Sequence, residues 1–297
     1  MPSFKRRVGE VMVYKNSNPL SPLWKGDLAN SIMQKYLTII KITWQRALTY
    51  RFSVFSYRMG EMIENLVLIL MWSVVYADGQ QSIKGYDFNE MITYVLMGNL
   101  INVIVRNWLY NVVSNDIKNG TLSQFLVKPI EYFRYIIIRE IGRISFAFVI
   151  SVATNLTLIL LFYKIFYFND DILDLLVIFL IIVFAFIFEL LLSYLIGLIA
   201  FWIDEVDGVF LTIDRIKKFF SGGYFPITLL PVVFVKISFL LPFAYSYFIP
   251  TQIYLKKMDL MTGVKGIGVQ LIWIALLYLI ISIVWRRGMK KYEGVGI

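Results

Sequence analysis

Apolar residues along this chain are grouped into stretches of about 20, the length that an α-helix needs to cross the hydrocarbon core of a bilayer. Shorter polar intervals separate these stretches. The pattern predicts an all-α, polytopic membrane protein with six transmembrane helices, over residues 55–76, 90–113, 136–163, 175–202, 208–224 and 267–285. The fifth stretch is the least apolar, because it contains Asp214, Arg215, Lys217 and Lys218.

Residues 31–52, before the first predicted span, have a different pattern. Apolar side chains recur there at helical spacing, whereas Lys35, Lys41 and Arg46 lie largely on the other face. A basic amphipathic helix lies in the plane of the membrane surface with its apolar face in the lipid. We therefore expect an interfacial helix on the cytoplasmic leaflet, preceded by a loose arm over residues 1–30.

The segment between the fifth and sixth predicted spans is apolar but is interrupted by prolines. These are Pro226, Pro231, Pro242 and Pro250. Proline breaks an α-helix, and the ten residues between Pro231 and Pro242 are too few to cross a bilayer as one. We predict an extracytoplasmic re-entrant segment, which dips into the membrane and returns to the same side.

The composition excludes several classes of protein. Hydrophobic residues make up 59% of the chain and charged residues 16%, against roughly 45–50% and about 25% in soluble domains. Cysteine and histidine are absent from the sequence, which excludes disulfides, thiolate or imidazole metal ligands and histidine proton relays. The sequence also contains no Gly-x-x-x-x-Gly-Lys-Ser/Thr loop, so we expect no nucleotide site, no metal and no catalytic residue in this chain.

The net charge of +9 is concentrated near the two ends of the sequence. Residues 1–50 hold eight basic and two acidic residues, and four further cations follow the last span. Cytoplasmic segments carry an excess of lysine and arginine, so both termini should lie inside a plasma (inner) membrane, as an even number of spans requires. We attribute the charge to this topology and to lipid headgroups, and we expect no nucleic-acid partner. The topology places four lysines outside: Lys236, Lys256, Lys257 and Lys265.

Charged residues within the predicted spans are the candidates for chemistry. Glu189 lies near the middle of the fourth span, where a lone carboxylate costs about 3 kcal/mol. It would either bind a proton or cation, or form a hydrogen bond to a neighbouring helix through Arg106 or Asn102. Near the start of the first span, Arg58 should neutralise Glu61 one helical turn away.

The charged group in the fifth span also has two interpretations. Asp214, Arg215, Lys217 and Lys218 would line an aqueous pathway for an anionic group. Alternatively, Asp214 and Lys218 would pair with each other at i,i+4 spacing on the helix surface.

The longest polar interval after the N-terminal segment, residues 114–134, should lie inside. Between Gly120 and Pro129 it predicts a short helix that mixes apolar and charged residues. Such an element suits docking into a separate ATPase, although an ordinary connector would fit equally well. The candidate coupling residues are Asp116, Ile117, Gly120, Leu122, Phe125, Leu126, Lys128 and Pro129.

Four motifs, in the same order along the chain, resemble the ABC-2-type transporter permeases, in particular the daunorubicin-permease-like branch. The first is Ala47, Leu48, Tyr50 and Arg51, which is similar to the family's ALEYR motif. The second consists of Ile117, Gly120, Leu122, Phe125, Leu126, Lys128 and Pro129. The third runs from Phe220, Ser221 and Gly222 through Phe225, Pro226, Leu230 and Pro231 to Leu241, Pro242, Phe243 and Pro250. The fourth is the tail with Trp285, Arg286, Arg287, Gly288, Lys291, Tyr292, Glu293 and Gly296.

The resemblance implies a six-helix half-transporter that pairs with a second permease subunit and with ABC ATPase subunits, which hold ATP and Mg²⁺. It implies export. The aromatic fraction of 17% suits a hydrophobic or amphipathic substrate. On this basis the organisation is an N-terminal arm and interfacial helix (1–52), a transmembrane domain (53–288) and a cytoplasmic tail (289–297). Residues 1–32 extend beyond the family's usual start. The alternative functions are an ion- or proton-coupled transporter or channel that uses Glu189, and a membrane enzyme.

Overall fold

The computed structural model describes residues 22–77, 82–126 and 131–292. The predicted arm up to residue 21 lies outside the described residues, and so do Lys128, Pro129, Glu293 and Gly296. Every regular element in the described residues is helical, which confirms the all-α prediction. The α-helices are α1 (Pro22–Thr49), α2 (Arg51–Ala77), α3 (Phe88–Val105), α4 (Leu109–Lys118), α5 (Leu122–Leu126), α6 (Tyr132–Leu161), α7 (Ile172–Leu198), α8 (Asp207–Phe220), α9 (Val232–Leu240), α10 (Phe248–Tyr254) and α11 (Leu260–Lys291).

Five helical segments in the described residues are long and apolar enough to cross a membrane. They are Arg51–Ala77, Phe88–Lys118, Tyr132–Leu161, Ile172–Phe201 and Leu260–Lys291. These segments coincide with the first, second, third, fourth and sixth predicted spans. The fifth predicted span corresponds to α8, whose 14 residues extend only about 21 Å. This helix stops at Ser221, where the Ser-Gly-Gly sequence begins.

The second spanning segment is not the single continuous helix that the sequence had indicated. It is interrupted between α3 and α4 at Arg106–Trp108. Arg106 still donates its backbone N–H to Asn102 O, but its ψ of 131° is extended, so the chain leaves the helix there. Because of this interruption, α4 need not continue along the axis of α3.

Contacts between loops define one end of the bundle, which we name the Tyr86 end. The Tyr86 hydroxyl donates to Gln252 Oε1 over 2.8 Å, and Lys257 Nζ donates to Gly85 O over 2.6 Å. Asn169 Nδ2 donates to Tyr254 O over 3.0 Å. The loops that follow α2, α6 and α10 therefore meet at this end.

The opposite end, which we name the Tyr292 end, is also held by contacts between distant segments. The backbone N–H of Ser123 in α5 donates to the Tyr292 hydroxyl over 3.2 Å. The ring of Phe201, after α7, lies 5.9 Å from that of Tyr292. Asp207, where α8 begins, accepts a hydrogen bond from the Tyr110 hydroxyl of α4 over 2.9 Å. The beginning of α8 is thus connected to the Tyr292 end.

The proline-rich segment is built from short helical turns, as its prolines predict. Its longest helix is α9, with nine residues, and Pro231 immediately precedes it. Lys84 Nζ contacts the carbonyls of Thr228 and Leu229 at 3.3 Å, which places those residues at the Tyr86 end. The chain then runs inward, because the ring of Phe243 lies 6.1 Å from that of Phe188 in α7. It returns to the Tyr86 end at Gln252.

The unit from Ile39 onward has two main apolar cores. One, nearer the Tyr86 end, is built around α3, α7 and α10, with Met91, Tyr94 and Phe248 fully buried. The other, nearer the Tyr292 end, joins α4, α7 and α11. Segments of the chain approach each other closely at some glycines, because glycine has no side chain to separate them. At Gly98 an added Cβ would overlap the ring of Tyr247.

The first helix, α1, begins at Pro22 and ends at Thr49, so it is longer than the predicted interfacial helix. Within the described part of the chain, residues 22–38 belong to a separate compact unit. From Ile39 onward, α1 packs against α6. Trp44 Nε1 donates to Ser145 Oγ over 2.9 Å, and the ring of Trp44 meets Phe146 edge-on at 5.3 Å.

Candidate functional site

A polar cavity lies among α2, α3, α7, α8 and the 3₁₀ turn Pro242–Ser246. Most of its lining side chains are charged or carry amides, although it lies between apolar helices. The lining includes Glu61, Glu64, Asn65, Asn99, Asn102, Arg106, Glu189, Asp214, Lys217, Lys218, Ser246 and Tyr247. Polar side chains at this depth need partners or water, because an unpaired charge is costly in hydrocarbon.

Glu189 is paired with Lys217. The Lys217 Nζ lies 2.7 Å from Glu189 Oε2 and 3.4 Å from Asp214 Oδ1. The sequence had suggested Arg106 or Asn102 as the partner of Glu189, whereas the structure pairs Glu189 with Lys217. Glu189 and Lys217 come from α7 and α8, and both side chains are almost fully buried. Burial of such a pair requires good geometry, since the desolvation of each ion opposes the attraction between them.

Arg106 completes this cluster through Asp214. Its Nη2 lies 3.5 Å from Asp214 Oδ2, and its guanidinium lies 5.0 Å from the centre of the Trp108 ring. The interruption between α3 and α4 places Arg106 at the level of Asp214. The charged cluster, which we define as Arg106, Glu189, Asp214 and Lys217, holds two charges of each sign and is neutral as a whole. It joins α3, α7 and α8.

The spacing of charges along α8 explains why they converge. Asp214, Lys217 and Lys218 are separated by three and four residues, so they lie on one side of the helix. Phe210, one turn earlier on the same side, is buried against Tyr110 with stacked rings 3.9 Å apart. This stacking fixes the rotation of α8 and directs its charges into the cavity.

Lys218 does not pair with Asp214, which was one interpretation of the sequence. Its Nζ lies 2.5 Å from Glu64 Oε1 in α2 and 5.1 Å from the centre of the Tyr224 ring. The expected pair of Arg58 and Glu61 does form, with 2.5 Å between Arg58 Nη1 and Glu61 Oε2. Glu64 was missed as a cavity residue, because its partner lies 154 positions away in the sequence.

Amides and hydroxyls connect the remaining walls of the cavity. Asn99 Nδ2 donates to Asn155 Oδ1 over 2.8 Å and joins α3 to α6. Tyr94 donates its hydroxyl to Gly222 O over 2.6 Å, beside the end of α8. Gly222 has a φ of 80°, a conformation that favours glycine, so the Ser-Gly-Gly sequence provides the sharp turn out of α8.

Most of the predicted coupling residues that the structure describes are built into the Tyr292 end; Lys128 and Pro129 are outside the described part of the chain. Ile117 and Leu122 are buried, on either side of Gly120, whose φ of 71° turns the chain from α4 into α5. The Tyr132 hydroxyl donates to Asp116 Oδ2 over 2.9 Å. The ring of Phe125 lies 4.7 Å from that of Tyr135. This segment is therefore firmly attached to α6 rather than being a loose connector.

The chemistry available in the cavity is that of ion pairs and amides. Within the described residues, no group of three or more histidine, cysteine or acidic side chains could hold a metal ion. The charged cluster and the Lys218–Glu64 pair offer both positive and negative groups to a polar ligand. Such an arrangement can hold the polar part of a molecule inside the membrane.

Comparison with known proteins identifies the family. The sequence model of a family described as ABC-2 family transporter protein matches residues 62–296, which include most of the cavity lining. No curated protein matches the chain. The family match confirms the resemblance and includes the second, third and fourth motifs, whereas the first motif, residues 47–51, lies before the matched range. This chain therefore belongs to the ABC-2 transporter permease family and is a multi-pass transmembrane protein of an ABC transport system.

Proposed function

We propose that this chain is the permease subunit of an ABC exporter, and that a separate ATPase chain binds ATP and Mg²⁺ and drives it. The family match over residues 62–296 is the observation that carries this proposal. The sequence contains no phosphate-binding loop of the Gly-x-x-x-x-Gly-Lys-Ser/Thr kind, so in this proposal a partner chain hydrolyses the ATP. The pairing of Glu189 with Lys217 argues against the ion-coupled alternative, because the carboxylate already has a cation.

Six crossings of the membrane agree with the contacts at the two ends of the bundle. Asp207 is connected to the Tyr292 end, and Thr228 is at the Tyr86 end. The chain must pass from one end to the other between these residues, and α8 supplies most of that distance. The path from Thr228 inward to Phe243 and back to Gln252 supports a re-entrant segment.

We place the Tyr292 end in the cytoplasm. The four cations after the last span lie there, as the positive-inside rule requires. Three lysines at the Tyr86 end are bound by protein groups. Lys257 lies 2.7 Å from Glu90, Lys256 lies 3.9 Å from Asp171, and Lys84 contacts backbone carbonyls. These contacts account for three of the lysines on the extracytoplasmic side, whereas Lys236 and Lys265 are exposed.

The α4–α5 segment is the proposed site of coupling. It is exposed at Gln124 and anchored to α6 and Tyr292, so a push on α5 would move α4 as a unit. At its other end, α4 begins directly after the interruption that holds Arg106, which binds Asp214 in α8. Closure of the ATPase would thus move α4, and this movement would be transmitted to the charged cluster. We propose that the cavity then opens for an amphipathic substrate, whose polar part the cluster holds.

A second permease subunit would cover the outward faces of α2 and α8. On α2, Gly60, Val67 and Val74 recur at helical spacing and are exposed. On α8, Leu211 and Arg215 are exposed, and an arginine that faced lipid within a crossing helix would be costly. Contact with a second copy of this chain would cover the exposed residues of α2 and would shield Leu211 and Arg215 of α8 from lipid. A two-fold interface would bring the same face of each copy together.

Oxidative cross-linking tests this dimer directly, since the chain has no native cysteine. A single Leu211→Cys substitution should give a disulfide-linked dimer in native membranes. The matched Leu276→Cys substitution, on an exposed face of α11, should remain monomeric. Absence of a dimer from Leu211→Cys, or equal dimer from both variants, would contradict the proposed interface.

Affinity purification from native membranes tests the exporter itself. The tagged chain should retain an ATPase subunit in a mild detergent, and Gln124→Arg should reduce both its retention and its ATP hydrolysis. Ser82→Arg places the same charge at the Tyr86 end and should change neither. If no ATPase is retained by the unmodified chain in several mild detergents, the proposed function is wrong.

A further inference from the structure

The polar cavity reaches the surface of the protein beside Glu64. Of the lining residues in the described part of the chain, Glu64 alone is exposed, whereas the others are buried or half-buried. Glu64 lies on α2, and its partner Lys218 lies on α8 and also lines the cavity. The mouth of the cavity is therefore between α2 and α8, and the Lys218–Glu64 pair lies across it.

The Lys218–Glu64 pair differs from the charged cluster in its exposure. The side chains of Glu64 and Lys218 are 50% and 21% exposed, whereas those of Glu189 and Lys217 are almost fully buried. An ion pair in contact with solvent contributes little to stability, because water can replace each partner. A buried pair resists separation, since each ion would be left without its partner in apolar surroundings. The outer pair can therefore separate while the cluster stays together.

Lys218 has other contacts that do not depend on α2. Its Nζ lies 5.1 Å from the centre of the Tyr224 ring, and Tyr224 follows α8 in the chain. A cation above an aromatic ring is attracted to it. The stem of Lys218 packs at Gly223, where an added Cβ would lie 2.9 Å from Lys218 Cγ. Lys218 thus keeps its position beside α8 when Glu64 moves away with α2.

The space inside the mouth is small. Its volume of about 50 Å³ has room for about four water molecules, since a cavity needs roughly 10–15 Å³ for each. Of the amphipathic substrate proposed above, only a small polar group fits this space, and the apolar part stays outside the mouth. A molecule held in this way enters sideways between two helices, so the contact that joins these helices controls its entry.

We propose that the Lys218–Glu64 pair is a gate at the mouth of the polar cavity, and that its separation admits the small polar group of an amphiphile to the charged cluster. This inference rests on the proposed function for the kind of molecule admitted. Glu64 lies one turn from Gly60 on α2, and Lys218 lies one turn from Arg215 on α8. The gate therefore opens on the faces assigned to the second copy, which would shield its charges from lipid.

A cysteine inside the cavity can report the opening of this gate, because the chain has no native cysteine. Ser246 lines the cavity and is only 7% exposed, so Ser246→Cys is a conservative reporter. The probe is methyl methanethiosulfonate, which is neutral and adds only a methylthio group to the thiol. Its approach is therefore insensitive to the charge of the gate. The labelling rate of the full-length protein in a maltoside detergent is followed by mass spectrometry.

Loss of either gate charge should speed the labelling of Ser246→Cys. We expect an increase of about fivefold from Glu64→Gln or from Lys218→Met, the effect of losing one partly exposed ion pair. The two substitutions together should give no faster labelling than either alone, because both remove the same contact. The matched control is Glu131→Gln, which breaks an exposed pair with Arg134 outside the cavity lining and should leave the rate unchanged.

A second reporter separates gate opening from general loosening of the helices. Ser151 is buried in α6 outside the cavity lining, so labelling of Ser151→Cys should not respond to Glu64→Gln. The gate is overturned if neither Glu64→Gln nor Lys218→Met speeds the labelling of Ser246→Cys. It is also overturned if Glu131→Gln speeds it as much, or if Ser151→Cys responds equally. Because this assay needs neither ATPase nor substrate, its failure leaves the exporter proposal standing, and a failure to retain an ATPase would not alter the labelling rates.

Discussion

Removal of the Lys217 charge should strongly destabilise the protein. Lys217 Nζ contacts Glu189 at 2.7 Å and Asp214 at 3.4 Å, and the side chains of Lys217 and Glu189 are only 15% and 5% exposed. Lys217→Met keeps the apolar stem of the side chain but leaves Glu189 buried without its cation. Breaking a buried pair in this way costs about 3–5 kcal/mol.

Substitution of both partners should recover much of that loss. Glu189→Leu with Lys217→Met leaves Asp214 paired with Arg106, so the cluster is again neutral. Replacement of a buried ion pair by apolar residues is often close to neutral in stability. We therefore expect the double variant to be more stable than Lys217→Met alone, although it carries one substitution more.

Thermal unfolding in one detergent, followed by tryptophan fluorescence, measures these effects. A loss of about 3–5 kcal/mol corresponds to a fall in Tm of roughly 10 °C for a chain of this size. Lys290→Met, at an exposed position of α11, should change stability by less than about 0.5 kcal/mol and serves as the matched control. If the losses of the two single variants simply add in the double variant, Glu189 and Lys217 are not coupled and the reasoning fails.

Three further predictions follow from contacts elsewhere in the chain. Gly98→Ala should destabilise the protein by about 1–3 kcal/mol, because the new Cβ overlaps the Tyr247 ring. Gly268→Ala, in α11, meets open space and should be neutral or stabilising; equal Tm values would contradict this. Tyr94→Phe should cost about 1 kcal/mol in thermal unfolding, because Gly222 O loses its donor, and an unchanged Tm would show that water replaces the hydroxyl. Lys257→Ala should speed amide hydrogen exchange in residues 82–90, because Lys257 binds both Gly85 O and Glu90. Lys256→Ala should leave that exchange unchanged. Equal exchange rates in the two variants would refute the role of Lys257.

Local patterns in the sequence were sufficient to predict the spanning helices and one ion pair. Each of the five long apolar segments was predicted, because a spanning helix satisfies its own backbone and must be apolar over a fixed length. The pair of Arg58 and Glu61 was predictable for the same kind of reason, since residues three apart on a helix face each other. The prolines likewise predicted the short turns between α8 and α11.

The partners of the cavity charges could not be derived in this way. Glu189 had several basic residues within plausible reach, and the choice of Lys217 depends on how α8 is rotated against α7. That rotation follows from the stacking of Phe210 on Tyr110, a contact between residues 100 positions apart. The interruption at Arg106 was also missed, because the apolar pattern runs through it without a proline or glycine.

The sequence alone therefore determined that the chain is an all-helical membrane protein, which segments are apolar enough to cross, and which family it resembles. These properties depend on composition and on spacing within a single helix. Only the tertiary structure decided that four charges form a neutral cluster between α3, α7 and α8, and that α2 contributes Glu64 to the same cavity. An ion pair depends on the position of two chain segments relative to each other, and that position is set by packing between helices that are distant in sequence.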